Sequence, residues 1–293
     1  MSEKTESIKK EQNFILQQGD AQHAYRFALT NAAYSIDVDR LSALVGKSRD
    51  VATALKFANN IRDADIAALQ PAIIQYGNAK DAYAFACIKG ADIKALEKKI
   101  IKSNGTSAKV VLDFLSLDYD KDVKGLCNKI LSCKDTNACY ALDFIYNIGY
   151  SVDSDIADMD NIVDMVGDYL IKEYNGRSVV MQKHQFSERE YPQHYNNAEL
   201  LNSFVTYLEN PSFNLDKYQD AVITKGTAWD AYHFAKTVNG ANIKKLATVA
   251  VRDNDNDCAL KFAELLGLSV VGLLAEYLEK SEPTSGTVHR FKP

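Results

Sequence analysis

Phenylalanine recurs along this chain in near-constant phase, at positions 27, 57, 85, 114, 144, 204, 234 and 262, with gaps of 30, 28, 29, 30, 60, 30 and 28 residues. The surrounding residues recur with it. Ala24-Tyr25-Arg26-Phe27-Ala28 returns as Ala82-Tyr83-Ala84-Phe85-Ala86 and as Ala231-Tyr232-His233-Phe234-Ala235, with looser copies around Phe57, Phe114, Phe144 and Phe262 and a weak one around Phe204. A fixed period of this length marks a stacked array, because one such unit cannot bury its apolar face alone. The doubled gap holds two periods and places a degenerate unit near Tyr174, with Tyr169, Leu170 and Tyr174 keeping a helix of the phenylalanine-anchored kind (helix A below).

A second signature follows each anchor. Ala64-Asp65-Ile66, Gly90-Ala91-Asp92-Ile93 and Gly240-Ala241-Asn242-Ile243 each open an apolar series at i, i+3 and i+7. The series read Ile66, Leu69, Ile73; Ile93, Leu96, Ile100; Val123, Leu126, Ile130; Ile243, Leu246, Ala250; and Val271, Leu274, Leu278. That is one stripe of an α-helix, and alternation of a strand does not fit it. Asp65, Asp92 and Asn242 stand where an N-cap belongs. The alanines around each phenylalanine allow close helix approach, as a helix covered on more than one side requires. Each unit is therefore helix A, a short turn, helix B and a polar link. The expected fold is all-α, a solenoid of about nine two-helix repeats of about 29 residues, one of them degenerate.

These motifs divide the chain into an N-terminal cap segment (1–18), repeats 1–5 (19–164), a degenerate repeat or loop (165–200), repeats 7–9 (201–280) and a tail (281–293). The pattern resembles the short helical repeats of the form AYxFA…GADIxxLE found in bacterial and large-phage proteins of mostly unassigned function. That resemblance covers residues 19 to 280, most clearly 19–105 and 227–280. It implies a HEAT- or TPR-like α-solenoid and a phage or bacterial origin, and it carries no catalytic residue.

Composition agrees with helices. The chain has 293 residues with only 14 Gly and 5 Pro, too few breakers for a many-stranded sandwich. Net charge is −5, and no basic run exceeds a pair such as Lys98-Lys99. Nucleic acid is thus a disfavoured partner. A base-reading solenoid would carry Lys or Arg at one repeat phase. Two residues after the anchors other than the weak Phe204 the chain instead has Leu29, Asn59, Cys87, Ser116, Tyr146, Lys236 and Glu264. No segment approaches the length of a transmembrane helix, and Met1–Gln12 lacks a signal-peptide core. Five cysteines without a CxxC suit a reducing cytoplasm.

Residues 177–195 break the rhythm with a polar, aromatic run that includes Arg177, Lys183, His184, Arg189, Tyr191 and Tyr195. On an array such insertions map to loops, often on a binding face. A recognition loop, a hinge between two halves and a decayed repeat all fit, as less readily does a short hairpin at Val179–Met181. His184 and His194 match no zinc spacing. Cys127, Cys133 and Cys139, with Cys87 and Cys258, read as small apolar core residues. The nucleophile-elbow, P-loop and dinucleotide motifs are absent. The expectation is a protein-interaction scaffold and not an enzyme, with no cofactor, no metal and no catalytic residue. A nucleic-acid-binding array and a self-assembling one are the alternatives. The partner is a protein, and the phage-like resemblance implies a host or immune factor.

Overall fold

The computed structural model describes residues 3–149, 159–174, 201–202, 204–206, 214–269 and 271–272. Fifteen helices of eight or more residues lie among them: α1 Glu3–Gln18, α2 Ala21–Thr30, α3 Val38–Lys47, α4 Val51–Asn60, α5 Ile66–Tyr76, α6 Ala79–Ala86, α7 Ile93–Lys102, α8 Ala108–Leu115, α9 Val123–Ser132, α10 Ala138–Ile148, α11 Met159–Glu173, α12 Leu215–Lys225, α13 Ala228–Thr237, α14 Ile243–Arg252 and α15 Asn256–Leu266. No strand occurs among the described residues. The chain is all-helical, built of sequence-adjacent helix pairs as an α-solenoid-like repeat. It divides into two compact units, Met1–Thr136 with Asp143–Ile148, and Asn137–Leu142 with Gly149–Pro293.

In the first unit α2–α3, α4–α5, α6–α7 and α8–α9 are four successive hairpins, each a helix A and a helix B. Helix A packs on the next helix A (α2 on α4, α4 on α6, α6 on α8), and helix B on the next helix B. The row at the centre of the A layer is the anchor phenylalanine. Phe57, Phe85 and Phe114 are fully buried and Phe27 nearly so, with Ala24, Ala54 and Ala82 sealed beside them. Tyrosines tie neighbours together: Tyr25 tilts onto Phe57 at 6.3 Å between ring centroids, and its hydroxyl accepts from Asn60 Nδ2 at 2.8 Å. In the B layer Leu41, Leu69, Leu96 and Leu126 are fully buried.

Local chemistry starts each helix where the spacing requires. Asp37, Asp65, Asp92 and Asp122 cap the B helices, and Asp20, Asp50, Asn78 and Ser107 cap the A helices. Each side chain accepts a first-turn N–H that has no partner within the helix. Two residues before the B cap the backbone turns left-handed, at Asp63 (φ 60), Gly90 (φ 96) and, in the second unit, Gly240 (φ 78). Glycine adopts that region without steric penalty.

The B layer carries a device invisible in the apolar periodicity. The residue after each buried leucine is often polar, and it reaches across to the cap of the next B helix. Gln70 Oε1 accepts from Asp92 N at 2.8 Å while Gln70 Nε2 donates to Asp92 O at 3.0 Å. Gln12 on α1 repeats both bonds with Asp37, at 3.1 and 2.9 Å. Ser42 Oγ accepts from Asp65 N at 3.2 Å, and Glu97 accepts from both Asp122 N (2.8 Å) and Tyr119 Oη (2.7 Å). Buried polar groups need such partners. The latch also gives α1 the role of a B helix, with Ile8, Gln12 and Ile15 buried. Nothing in the helix A motif places one there.

In the second unit α12 packs on α14 and α13 pairs with α14 and α15. Phe204, Phe234 and Phe262 are fully buried, Tyr232 meets Phe262 edge-on at 5.8 Å, and Gln219 Oε1 accepts from Asn242 N at 2.6 Å. The region around Tyr174 differs from expectation. Tyr174 follows the last turn of α11 and is not the middle of a helix A. Helix α11 buries Ile162, Val166 and Leu170, the i, i+4 spacing that Leu126 and Ile130 show on a helix B. Lys225 Nζ also donates to Ile171 O at 2.7 Å, as Lys129 at the end of α9 donates to Ser103 O after α7. A cation on the carbonyl end of the preceding B helix is favourable. Tyr174 is buried and its hydroxyl meets Asp230 Oδ2 at 3.3 Å, which pins the end of α11 to the first turn of α13. Val271, expected to open the last B stripe, is 76% exposed, and Leu274 and Leu278 lie outside the described residues.

Candidate interaction surface

Arg177, Lys183, His184, Arg189, Tyr191 and Tyr195 all lie outside the described residues, as does the hairpin expected at Val179–Met181. The geometry that can be read is the outward side of helix A. The phenylalanine row and its alanines face inward, so the residues five before, one before and two after each anchor face out. In α2 these are Gln22, Arg26 and Leu29; in α4 Ala52, Lys56 and Asn59; in α6 Lys80 and Ala84, with Cys87 at its C-cap, all exposed. This phase also corrects the expectation for Cys87. It is exposed because it occupies the outward position of Leu29 and Asn59. Cys127, Cys139 and Cys258 are buried as core residues and Cys133 is half-buried. Burial pushes the Cys127 thiol up to about 12.

At the same outward phase α13 carries Trp229, His233 and Lys236, and α15 carries Asp257, Lys261 and Glu264. Trp229 is 46% exposed. His233, one turn on, meets the indole edge-on at 4.7 Å between ring centroids, and Tyr232 tilts against it at 5.8 Å. Lys261 crosses from α15 to place Nζ 3.9 Å from the indole centroid and 5.4 Å from the Tyr232 centroid. Aromatic faces attract a cation through their quadrupole. Among the described residues no carboxylate lies within ion-pair distance of Lys261. Its ammonium is thus held on an aromatic platform and keeps N–H donors for a further acceptor. Leu260 and Leu265 on α15 are also exposed.

Helix α8 fills the same outward positions in the opposite manner. Lys109 and Asp113 pair there at 2.6 Å, one turn apart and both half-buried. A lysine already paired with a carboxylate on its own helix presents less to a partner. Nothing in the apolar periodicity singles out Trp229; the available signal is that the chain's single tryptophan falls at a phase occupied elsewhere by Gln22, Ala52, Lys80 and Lys109.

Other chemistry is sparse. Among the described residues no group of three or more His, Cys, Asp or Glu side chains is placed to hold a metal ion, and no helix is long and apolar enough to cross a membrane. A groove of about 470 Å³ runs between α1 and α3, lined by Leu16, Ala43 and Leu44 with Arg40 and Lys47. No protein-family model, curated protein or solved structure matches the chain.

Proposed function

We propose that this chain is a protein-binding helical-repeat scaffold that meets its partner with the outward side of its A helices. The supporting observation is the split between two sets of positions on one element. The inward residues repeat from unit to unit as a phenylalanine flanked by small or aliphatic side chains (Ala24, Phe27, Ala28; Val111, Phe114, Leu115), whereas the outward ones change identity with each helix and include a half-exposed tryptophan. Repetition serves stacking. Variation at a fixed geometry supplies specificity, and exposed Trp and Tyr are the side chains that most often carry binding energy. By its resemblance to phage and bacterial repeats, the partner would be a host or immune protein. Arg177, Lys183, His184, Arg189, Tyr191 and Tyr195 would extend the contact.

The test is site-specific photo-crosslinking in the native host, with the probe placed at Arg26, Ala84 or Trp229 and, as controls, at Asn128 and Lys98 on the exposed side of the B helices. Adducts to one protein from the outward A positions, with weak or no adducts from the controls, support the reading. Equal labelling of both sides, or none from the A positions, overturns it.

One observation favours nucleic acid as a second reading: the outward positions of α2, α4 and α6 each carry one cation, Arg26, Lys56 and Lys80. A mobility shift with single-stranded oligonucleotides that fades steeply with salt would support it.

A further inference from the structure

We infer that the Trp229–Tyr232–His233–Lys261 cluster is a docking point for an acidic side chain of a partner protein. This rests on the protein-binding reading and adds the chemistry of the partner. A half-buried ammonium ordinarily finds a carboxylate, and Lys109 does so with Asp113 at 2.6 Å. Lys261 instead lies 3.9 Å from the Trp229 centroid and 5.4 Å from that of Tyr232. The rings compensate part of its lost hydration and leave its N–H groups without an anionic acceptor among the described residues. Exposed Lys236 stands one turn beyond His233 on α13.

Half-exposed Trp229 sets apolar surface beside an arriving carboxylate and strengthens a charge-assisted hydrogen bond. Asp257 and Glu264 flank Lys261 on its own helix, at i−4 and i+3. They oppose a broad anionic surface such as a lipid headgroup layer. A single carboxylate on a side chain reaches the ammonium between them. A stacking nucleobase would have to compete with Lys261 for the indole face that the ammonium covers. An acidic peptide segment with adjoining aliphatic residues is the occupant that satisfies both the cation and the exposed indole.

The chain's single tryptophan is the reporter, so tryptophan emission reads this cluster alone. The full chain is titrated with a short peptide alternating leucine and glutamate, and with its counterpart carrying glutamine for glutamate. The expected result is a saturable emission change with the glutamate peptide. Binding should be at least about tenfold weaker with the glutamine peptide, and about tenfold weaker in Lys261→Gln, the loss of one charge-assisted contact. Lys98→Gln, on the exposed side of the B helix α7, should bind as the parent does, and far-ultraviolet circular dichroism checks that both variants fold. No saturable change, equal affinity for the two peptides, or full affinity in Lys261→Gln overturns the inference. So does a stronger response to oligothymidylate or to phosphatidylserine vesicles. If the peptide fails while crosslinks to a protein still form at Trp229, only the acidic chemistry falls. If those crosslinks are also missing, the broader reading falls with it.

Discussion

Helices α6 and α13 share one plan and differ in one respect. Both bury the same residues: Ala82, Phe85 and Ala86 in α6, and Ala231, Phe234 and Ala235 in α13. Both begin with a capping box, Asn78 with Asp81 and Thr227 with Asp230. On the outward side α6 presents Lys80 and Ala84, while α13 presents Trp229 and His233 under Lys261. The inward row is thus set by packing against neighbouring helices, which allows little change. The outward row is free of that constraint, and a large apolar ring there has no stacking role. Inward substitutions should therefore change stability and outward ones should not.

The largest expected effect is on the inward row. Phe85→Ala removes a fully buried ring between α4 and α8 and should destabilise by about 3–5 kcal/mol, read as a lower urea midpoint. A loss under about 1 kcal/mol would mean that the phenylalanine row is not what holds the A layer together.

Two cysteines sharpen the comparison by pH. Cys127 is fully buried on α9, and burial raises its thiol to about 12, whereas Cys87 faces out at the C-cap of α6. A raised native value means that the buried thiol's contribution is complete below the unfolded value, about 9, and is lost as pH rises from there towards 12. By about pH 10.5 Cys127 alone should remove ~2 kcal/mol. Cys127→Ala should flatten the alkaline fall in the urea midpoint, and Cys87→Ala should leave it unchanged. Equal slopes in both variants would contradict the inward and outward assignment.

Next in size is the latch. Gln70→Ala strips both bonds from Asp92, leaving its partly buried N–H without an acceptor, and should lose about 1–3 kcal/mol. Gln70→Glu keeps the acceptor, as Glu97 does towards Asp122 N at 2.8 Å, and should lose less. If the two variants melt together, the bond to the cap N–H contributes nothing measurable.

The fold was legible because its strongest forces leave periodic marks. Phe and Ala return every turn of the array, and Asp65, Asp92 and Asn242 announce helix starts by their capping chemistry. The latch was not legible, since Gln12, Ser42, Gln70 and Glu97 perform one task with three kinds of side chain, and hydrophobic periodicity does not register polar residues. Tyr174 misled for a related reason. An aromatic at the expected spacing looks like an anchor, yet the burial of Ile162, Val166 and Leu170 puts α11 in the phase of a B helix. Trp229 was hidden for the opposite reason: a position that need not repeat carries no periodic signal, so only its contrast with Gln22, Ala52 and Lys80 marks it.

The smallest predicted effect bears hardest on function. Trp229→Ala removes a ring whose contacts, with His233, Tyr232 and Lys261, lie at the surface. The cation–π contact is worth about 0.5–1 kcal/mol at an exposed site. Lys261, once released, regains water and side-chain freedom, which offsets part of that loss. The net change in the urea midpoint should correspond to under about 1 kcal/mol, close to that of Lys109→Ala, which breaks a surface ion pair worth at most about 1 kcal/mol. The two variants should part company only when a partner is present. Trp229→Ala should lose the crosslinked protein and Lys109→Ala should retain it. A large destabilisation by Trp229→Ala would instead give the tryptophan a structural role, and the contrast between α6 and α13 would then concern packing and not recognition.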